Sequence, residues 1–264
     1  MQTVRLISRL SLFGLSLMVI ALVALVVGIA ERLSRRPLDR TPWARLCFNG
    51  AARCLGFRIQ QDGEVARGPV LFVSNHVSWA DIPVLGGIAP LRFLSKAEVA
   101  RWPVIGWLAT QAGTLFIQRG SGRAGESCRE ISRALTQSQS VLVFPEGTTT
   151  VGLTVLPFHG RLLQSAIDSG VMIQPVTIGY RRAGQPDHLA PFVGDDDFQR
   201  HLLRLLRQPA VSVSVLFHEP VAVCPDTDLR QLCTSLQATV GDGLSRIHRP
   251  GSAAASSSSV ASLT

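Results

Sequence analysis

A chain of 264 residues, 46% hydrophobic and 17% charged, with a mean hydropathy of +0.26, can bury one sizeable core, which excludes a small stapled scaffold and a disordered chain. Lys plus Arg number 26 against 18 Asp plus Glu, and Lys96 is the only lysine, so the excess is arginine and suits anionic partners, whether nucleic acid or a lipid surface. The cysteines Cys47, Cys54, Cys128, Cys224 and Cys233 are odd in number and form no Cys-x-x-Cys pair, which argues against a disulfide framework or zinc site and fits a reducing, cytosolic location.

From Leu10 to Ala30 no residue is charged, while Arg5 and Arg9 precede the run and Arg32, Arg35 and Arg36 follow it. As a helix it covers about 31 Å, close to the ~30 Å of a hydrocarbon core. Residues 1–40 are therefore predicted to be a membrane anchor that spans or inserts deeply. A cleaved signal peptide would use the small-x-small pair Gly28 and Ala30, but the run exceeds the usual ~7 to 15 apolar residues. Basic residues at both ends leave the orientation open. Between Pro42 and Phe57 the apolar Trp43, Leu46, Cys47, Ala51, Cys54 and Leu55 recur at helical spacing, as in an interfacial helix or one packed on the soluble domain.

Residues 41–248 then alternate strand and helix signals. Strands are predicted at Val70–Val73, Arg92–Leu94, Thr114–Ile117, Val141–Phe144, Met172–Ile178 and Val211–Phe217, and helices at Gly122–Leu135, Arg161–Ile167 and Phe198–Leu206. The fold class is α/β, a central sheet flanked by helices with an N-terminal membrane helix. Residues 249–264, rich in Ser and Ala, are predicted to be a disordered tail.

Three strand ends carry chemistry. After Val73 come Ser74-Asn75-His76-Val77-Ser78-Trp79-Ala80-Asp81; a His with a nearby carboxylate has the parts of a general base and its orienting partner. Five residues of regular helix turn by about 140°, so the two meet only if the segment between them is irregular or the helix begins later. Otherwise Asp81 is an N-cap ahead of Pro83 and His76 a loop residue. The second constellation, Phe144-Pro145-Glu146-Gly147-Thr148-Thr149-Thr150, offers a stiff turn, a close backbone approach at Gly147, and a carboxylate and hydroxyls able to bind a polyol. The third, Gln118-Arg119-Gly120, presents an anion-binding arginine. Gln174-Pro175-Val176 is a weaker mark, read from pattern alone as a bulge or edge strand.

These four segments, in this order, resemble the glycerolipid acyltransferase family that includes bacterial 1-acyl-sn-glycerol-3-phosphate acyltransferases, over roughly Leu55 to Phe217. The resemblance implies transfer of a fatty acyl group from a thioester, on coenzyme A or acyl carrier protein, to the free hydroxyl of a lysolipid, without metal or cofactor. It implies His76 as catalytic base, Asp81 as the residue that holds the imidazole, Arg119 as the phosphate-binding arginine, Glu146, Gly147 and Thr148 as the acceptor-binding motif, and Pro175 in a block linked to the acyl site. Ser78 lies in no nucleophile elbow, so no acyl-enzyme is expected. Many phosphatidate-forming members have Arg after Phe-Pro-Glu-Gly-Thr, where this chain has Thr149. Relatives acting on lyso-ornithine lipid share the scaffold. The expectation is a 1-acyl-sn-glycerol-3-phosphate O-acyltransferase of phospholipid biosynthesis, on the cytosolic face of an inner membrane, with lyso-ornithine lipid as the alternative acceptor. The reading from another class is an inactive membrane-bound adaptor. Nucleic acid is not expected as a partner, because no aromatic-interleaved basic ribbon is present.

Overall fold

A computed structural model describes residues 2–35, 38, 40–117 and 124–249. Two helices, α1 (Gln2–Ser34) and α2 (Thr41–Cys54), precede β1 (Phe57–Asp62), β2 (Val70–Ser74), α3 (Asp81–Ile88), β3 (Arg92–Lys96), α4 (Ile105–Gln111) and β4 (Leu115–Ile117). Then come α5 (Ala124–Thr136), β5 (Val141–Val143), α6 (Gln164–Ser169), β6 (Met172–Arg182), β7 (Gln185–Pro186), α7 (Phe198–Arg207), β8 (Val211–Phe217) and α8 (Leu229–His248).

The strands form one sheet in the order β1-β8-β6-β2-β5-β3-β4, with β7 beside β6. Pairing is parallel except where β6 meets β8 and β7. Strand periodicity divides the core between the sheet's two faces. Val70 and Phe72 of β2 and Leu142 of β5 join the cluster holding Ala52, Leu85 and Leu206, from α2, α3 and α7. The alternating Leu71, Val73, Val141 and Val143 join Ile131, Leu135, Ala166, Leu236 and Val240, from α5, α6 and α8. Helices thus cover both faces of β2, which reads as an unbroken apolar run because it is buried on both sides. Two glycines set the approach of α8 to β6: a Cβ at Gly243 would lie 2.4 Å from Thr177 Oγ1, and one at Gly179 2.9 Å from Ile247 Cγ2.

The predicted strands are present, and two further ones appear, β1 and β7. The helix expected over Arg161–Ile167 is a short 3-10 turn, Gly160–Leu162, followed by α6. Pro175 is not at an edge: it sits in β6, opposite Val73 of β2, with β8 on the other side. There its carbonyl accepts from His218 N–H at 3.0 Å, and the His218 carbonyl, which a proline cannot serve, accepts instead from Gln174 Nε2 at 2.8 Å. The tail proposed for residues 249–264 lies, beyond residue 249, outside the described residues.

The N-terminal helix does not project away from the domain. At about 1.5 Å per residue its 33 residues run about 50 Å, long and apolar enough to cross a membrane by length and composition. Yet near its start Arg5 and Arg9 donate to the carbonyls of Arg207, the last residue of α7, and Gln208, the next one along. Near its other end Glu31 pairs with Arg40, which also donates to Gln111 of α4. Between these ties Phe13 and Val27 are buried, while Val4, Ile7, Met18, Leu22, Val26 and Leu33 stay exposed. On α2, Ala51 and Ala52 are buried and Trp43 and Leu46 exposed, so one face packs on the domain and the other is bare.

Candidate active site

The site forms where the chain leaves β2. Asn75 follows the last β2 residue, and its side-chain amide pairs with β6 as a strand residue would: Nδ2 donates to Ile178 O and Oδ1 accepts from Ile178 N–H, both at 2.9 Å. This ends the ladder and turns residues 75–80 into an irregular loop, with α3 starting only at Asp81. The condition for His76 and Asp81 to meet is thereby fulfilled. Asp81 Oδ2 accepts from His76 Nδ1 at 2.8 Å and from the N–H groups of Val77 and Ser78 at 2.8 and 3.0 Å. A carboxylate oxygen accepts, so the imidazole donates from Nδ1, and in a neutral ring that tautomer leaves Nε2 as the acceptor. Asp81 is fully buried, and the His76 side chain is 16% exposed.

The loop after β5 grips His76 from three directions. The Phe144 ring stacks on the imidazole with centroids 3.9 Å apart and planes 11° from parallel. Glu146 Oε1 accepts from His76 N–H at 2.7 Å, its Oε2 accepts from Leu156 N–H at 2.8 Å, and Thr150 N–H donates to His76 O at 2.8 Å. Gly147 takes a positive φ of 71°, a conformation that favours glycine, and this lets the loop double back after Glu146. Burial pushes the Glu146 carboxyl above its usual range, against the opposing pull of the two backbone donors.

His76 opens onto a cavity of about 670 Å³, within the span of ligand-sized pockets. Phe13, Leu17, Val23 and Val27 of α1, Phe48 of α2 and Leu108 of α4 supply its apolar wall. Its polar positions carry both signs, Arg40 and Lys96 against Asp196 and Asp197, along with Thr148 and Thr149. Glu146, Gly147 and Pro175 are not among the lining residues; Glu146 has both oxygens engaged by backbone, and Pro175 is buried within the sheet. Arg119, with Gln118 and Gly120, lies outside the described residues. Ser78 Oγ is buried and has no hydrogen-bond partner among the described residues, and Ser78 does not line the cavity.

Sequence reasoning missed several supporting groups. Tyr180 of β6 donates to Asp81 Oδ1 at 2.6 Å. The segment before α7 is laced to the two loops around His76: Phe192 N–H donates to Val77 O at 3.0 Å, and Thr149 Oγ1 donates to Phe192 O. Buried His201 of α7 accepts from Trp79 Nε1 at 3.0 Å through Nδ1 and donates from Nε2 to Pro191 O at 3.0 Å. Burial, and then the charge of Arg204, lowers His201 below the usual histidine range, so the ring that Trp79 binds is neutral.

Residues 56–179 match the family model described as Acyltransferase. Over 227 residues the chain is 48% identical to a lyso-ornithine lipid O-acyltransferase of Pseudomonas aeruginosa, covering 81% of this chain and 86% of that protein. Over 168 residues it is 34% identical to a 1-acyl-sn-glycerol-3-phosphate acyltransferase of Neisseria gonorrhoeae, covering 63% of this chain and 66% of that one. The crystal structure of the 1-acyl-sn-glycerophosphate acyltransferase of Thermotoga maritima shares the fold, with a TM-score of 0.66 at 23% identity over 94% of this chain and 98% of that one.

Proposed function

Because the chain belongs to the acyltransferase family and is an O-acyltransferase of lysolipids, we propose that its acceptor is lyso-ornithine lipid and that His76 is the base of the transfer. The acceptor first expected, 1-acylglycerol 3-phosphate, has the weaker support of the two, since the relative named for it is less alike and covers less of the chain.

The observation that carries the mechanism is the His76–Asp81 pair at the mouth of an apolar cavity. The donor's acyl chain lies against the apolar wall with its thioester carbon near Nε2. The acceptor hydroxyl hydrogen-bonds to Nε2 and attacks that carbon as the imidazole takes its proton; a positioned base contributes typically ~10² to 10⁴ in rate. Asp81 stabilises the imidazolium. As the tetrahedral intermediate collapses, the C–S bond breaks and Nε2–H returns its proton to the departing thiolate, leaving an ester and a thiol. No acyl-enzyme is needed.

Headgroup chemistry supports the choice of acceptor. Ornithine joined to lipid through one amine retains an ammonium and a carboxylate, whereas glycerol phosphate is purely anionic. Of the charged residues lining the cavity, Arg40 is paired with Glu31 and Asp196 with Arg204, while Lys96 and Asp197, of opposite sign, have no ion pair among the described residues, a combination that suits a zwitterion better than a pure anion. Thr149 adds to this: it stands where phosphatidate-forming relatives carry Arg, and its hydroxyl is engaged with Phe192 O.

The tied α1, packed along one side and bare and apolar along the other, supports insertion into one leaflet; the cytosolic face of the inner membrane is proposed because acyl thioesters are made in the cytosol. Arg119 is proposed as a headgroup anion contact. Membranes containing the chain, given labelled acyl thioester with either lyso-ornithine lipid or lysophosphatidate, test the proposal. Preferential labelling of the ornithine lipid, lost in His76→Ala, is expected. Exclusive use of lysophosphatidate would overturn the acceptor, and full turnover by His76→Ala would overturn the base. An inactive adaptor would label neither.

A further inference from the structure

We propose that Tyr180 is a positioning residue of the transfer, holding Asp81 as the anion that His76 works against. The proposal rests on the assignment of His76 as base.

The argument begins with the demand for donors around a buried carboxylate. Asp81 is fully buried, where an ionised carboxylate persists only if its oxygens are hydrogen-bonded. Oδ2 has three donors, but among the described residues Oδ1 has one, the Tyr180 hydroxyl at 2.6 Å. That length is typical of a hydroxyl bonded to a charged oxygen. Tyr180 reaches Asp81 across 99 residues of sequence, because the Asn75–Ile178 amide pair fixes the catalytic loop against β6 two residues before the tyrosine. Phe57 holds the ring edge-on with centroids 5.9 Å apart. Burial, then the charge of Asp81, holds the phenol well above its ordinary range, so it remains a donor throughout the working pH.

The consequence is electrostatic as well as steric. The hydrogen bond is strongest when Asp81 faces a neutral imidazole and weaker when an imidazolium already compensates the carboxylate. Tyr180 therefore favours the pair in its proton-accepting form. Removing the hydroxyl makes the pair hold a proton up to higher pH, a property of the coupled pair and not of either residue alone. The titratable groups facing Asp81 are His76 on its own loop, Tyr180 on β6 and Glu146 on the loop after β5. Asp187, whose carboxylate is 2.7 Å from Arg182 Nε, acts on Tyr180 from beyond it.

The composition allows a graded test, since Tyr180 is the only tyrosine in the chain. Full-length protein made with 3-fluorotyrosine in place of tyrosine carries one altered phenol, a stronger donor with its ring retained. Initial rates of thioester-dependent acylation are measured against pH in vesicles containing lyso-ornithine lipid, with lysophosphatidate vesicles in parallel. For Tyr180→Phe, the acid limb of the rate profile is expected to move up by about one pH unit and kcat to fall about tenfold, with KM little changed. The fluorinated protein is expected to shift the limb the opposite way. A purely packing role would instead lower the unfolding temperature of Tyr180→Phe and leave all three limbs superposed, which overturns the proposal. If Tyr180→Phe fails to fold, the fluorinated protein decides alone. His76→Ala separates the two assignments: inactivity there, with unshifted limbs in the tyrosine variants, removes only the role of Tyr180, whereas retained turnover removes the base and this inference with it.

Discussion

Glu146 offers a direct choice between two physical roles. If it binds the acceptor, as the family motif implies, replacing it by Ala raises KM and leaves stability alone. The hydrogen bonds indicate the other role, a brace that joins the loop carrying His76 to the segment after β5 through His76 N–H at 2.7 Å and Leu156 N–H at 2.8 Å. A hydrogen bond to a charged group is worth about 1.5 to 3 kcal/mol. Glu146 is, however, raised above 4.5 by burial, so part of that gain is offset by the desolvation of its charge. The sign follows from linkage: the contribution of this titration to stability is full below 4.5 and is lost as pH rises through the elevated value. A net cost of about 2 to 3 kcal/mol for Glu146→Ala is therefore expected, or roughly 5 to 10 °C in unfolding temperature for a domain of this size. The freed loop also loses its hold on the imidazole, and a misplacement of about 1 Å costs about 10² in rate. Thermal melts followed by circular dichroism, with steady-state kinetics on the same preparations, measure both. Glu146→Gln should fall between, since its amide can accept from one N–H but points its NH₂ at the other. An unchanged melting temperature together with a rise confined to KM would refute the brace.

Three further perturbations probe other parts of the site. His201 is depressed below 6.5, so its contribution to stability is present above that pH and lost as pH falls through the depressed value; protonation also puts an N–H against Trp79 Nε1. The drop in melting temperature between pH 7.5 and pH 5.5 should accordingly be smaller in His201→Asn, and an identical drop would refute this. Ala24→Phe intrudes on the cavity wall and should reduce kcat/KM for long-chain thioesters by 10-fold or more relative to short ones, on the usual ~1 to 3 kcal/mol per methylene; an unaltered chain-length profile would remove the acyl chain from this cavity. Asn75→Ala leaves two buried groups of Ile178 unpaired and should cost about 2 to 4 kcal/mol in denaturant melts, with loss below 1 kcal/mol counting against the amide pair as the fastener of the loop.

What the sequence made legible was mostly what is local. The strands β2, β5 and β6 appear as apolar runs because both faces are covered, and the turn chemistry of Phe144 to Thr150 stands directly after one of them. Strand β1 escaped notice because Phe57-Arg-Ile-Gln-Gln-Asp62 lies at the sheet's border with mostly exposed side chains. Helix α8 was missed although Leu232, Leu236, Val240, Leu244 and Ile247 recur at helical spacing, and Asp228 caps the N–H groups of Arg230 and Gln231. That signal was present and went unread among the polar residues between. The supports of the site are another matter. Tyr180 to Asp81 and His201 to Trp79 close over 99 and 122 residues, and no periodicity in a chain announces which buried hydroxyl or ring will face a carboxylate or an indole. Only the register of β6 beside β2, and the seating of α7, make those pairings.

The placement of His76, the proposed base, also bears on how a lipid hydroxyl competes with water. An imidazole able to deprotonate an alcohol can equally deprotonate a water molecule, and hydrolysis of a thioester is downhill. Rate alone does not protect the donor; exclusion of water does. Phe144 covers one face of the His76 ring at stacking distance, the protein buries all but 16% of the side chain, and the open side gives onto a cavity walled by apolar residues of α1, α2 and α4. Water entering there finds few partners beyond the rim. A lysolipid brings its own apolar chain, and α1 and α2 expose apolar residues that such a chain can cover. On the proposed mechanism, the helices that wall the cavity also exclude the competing nucleophile: loosening α1 from its Arg5, Arg9 and Arg40 ties is expected to favour hydrolysis over acyl transfer before it abolishes thioester cleavage.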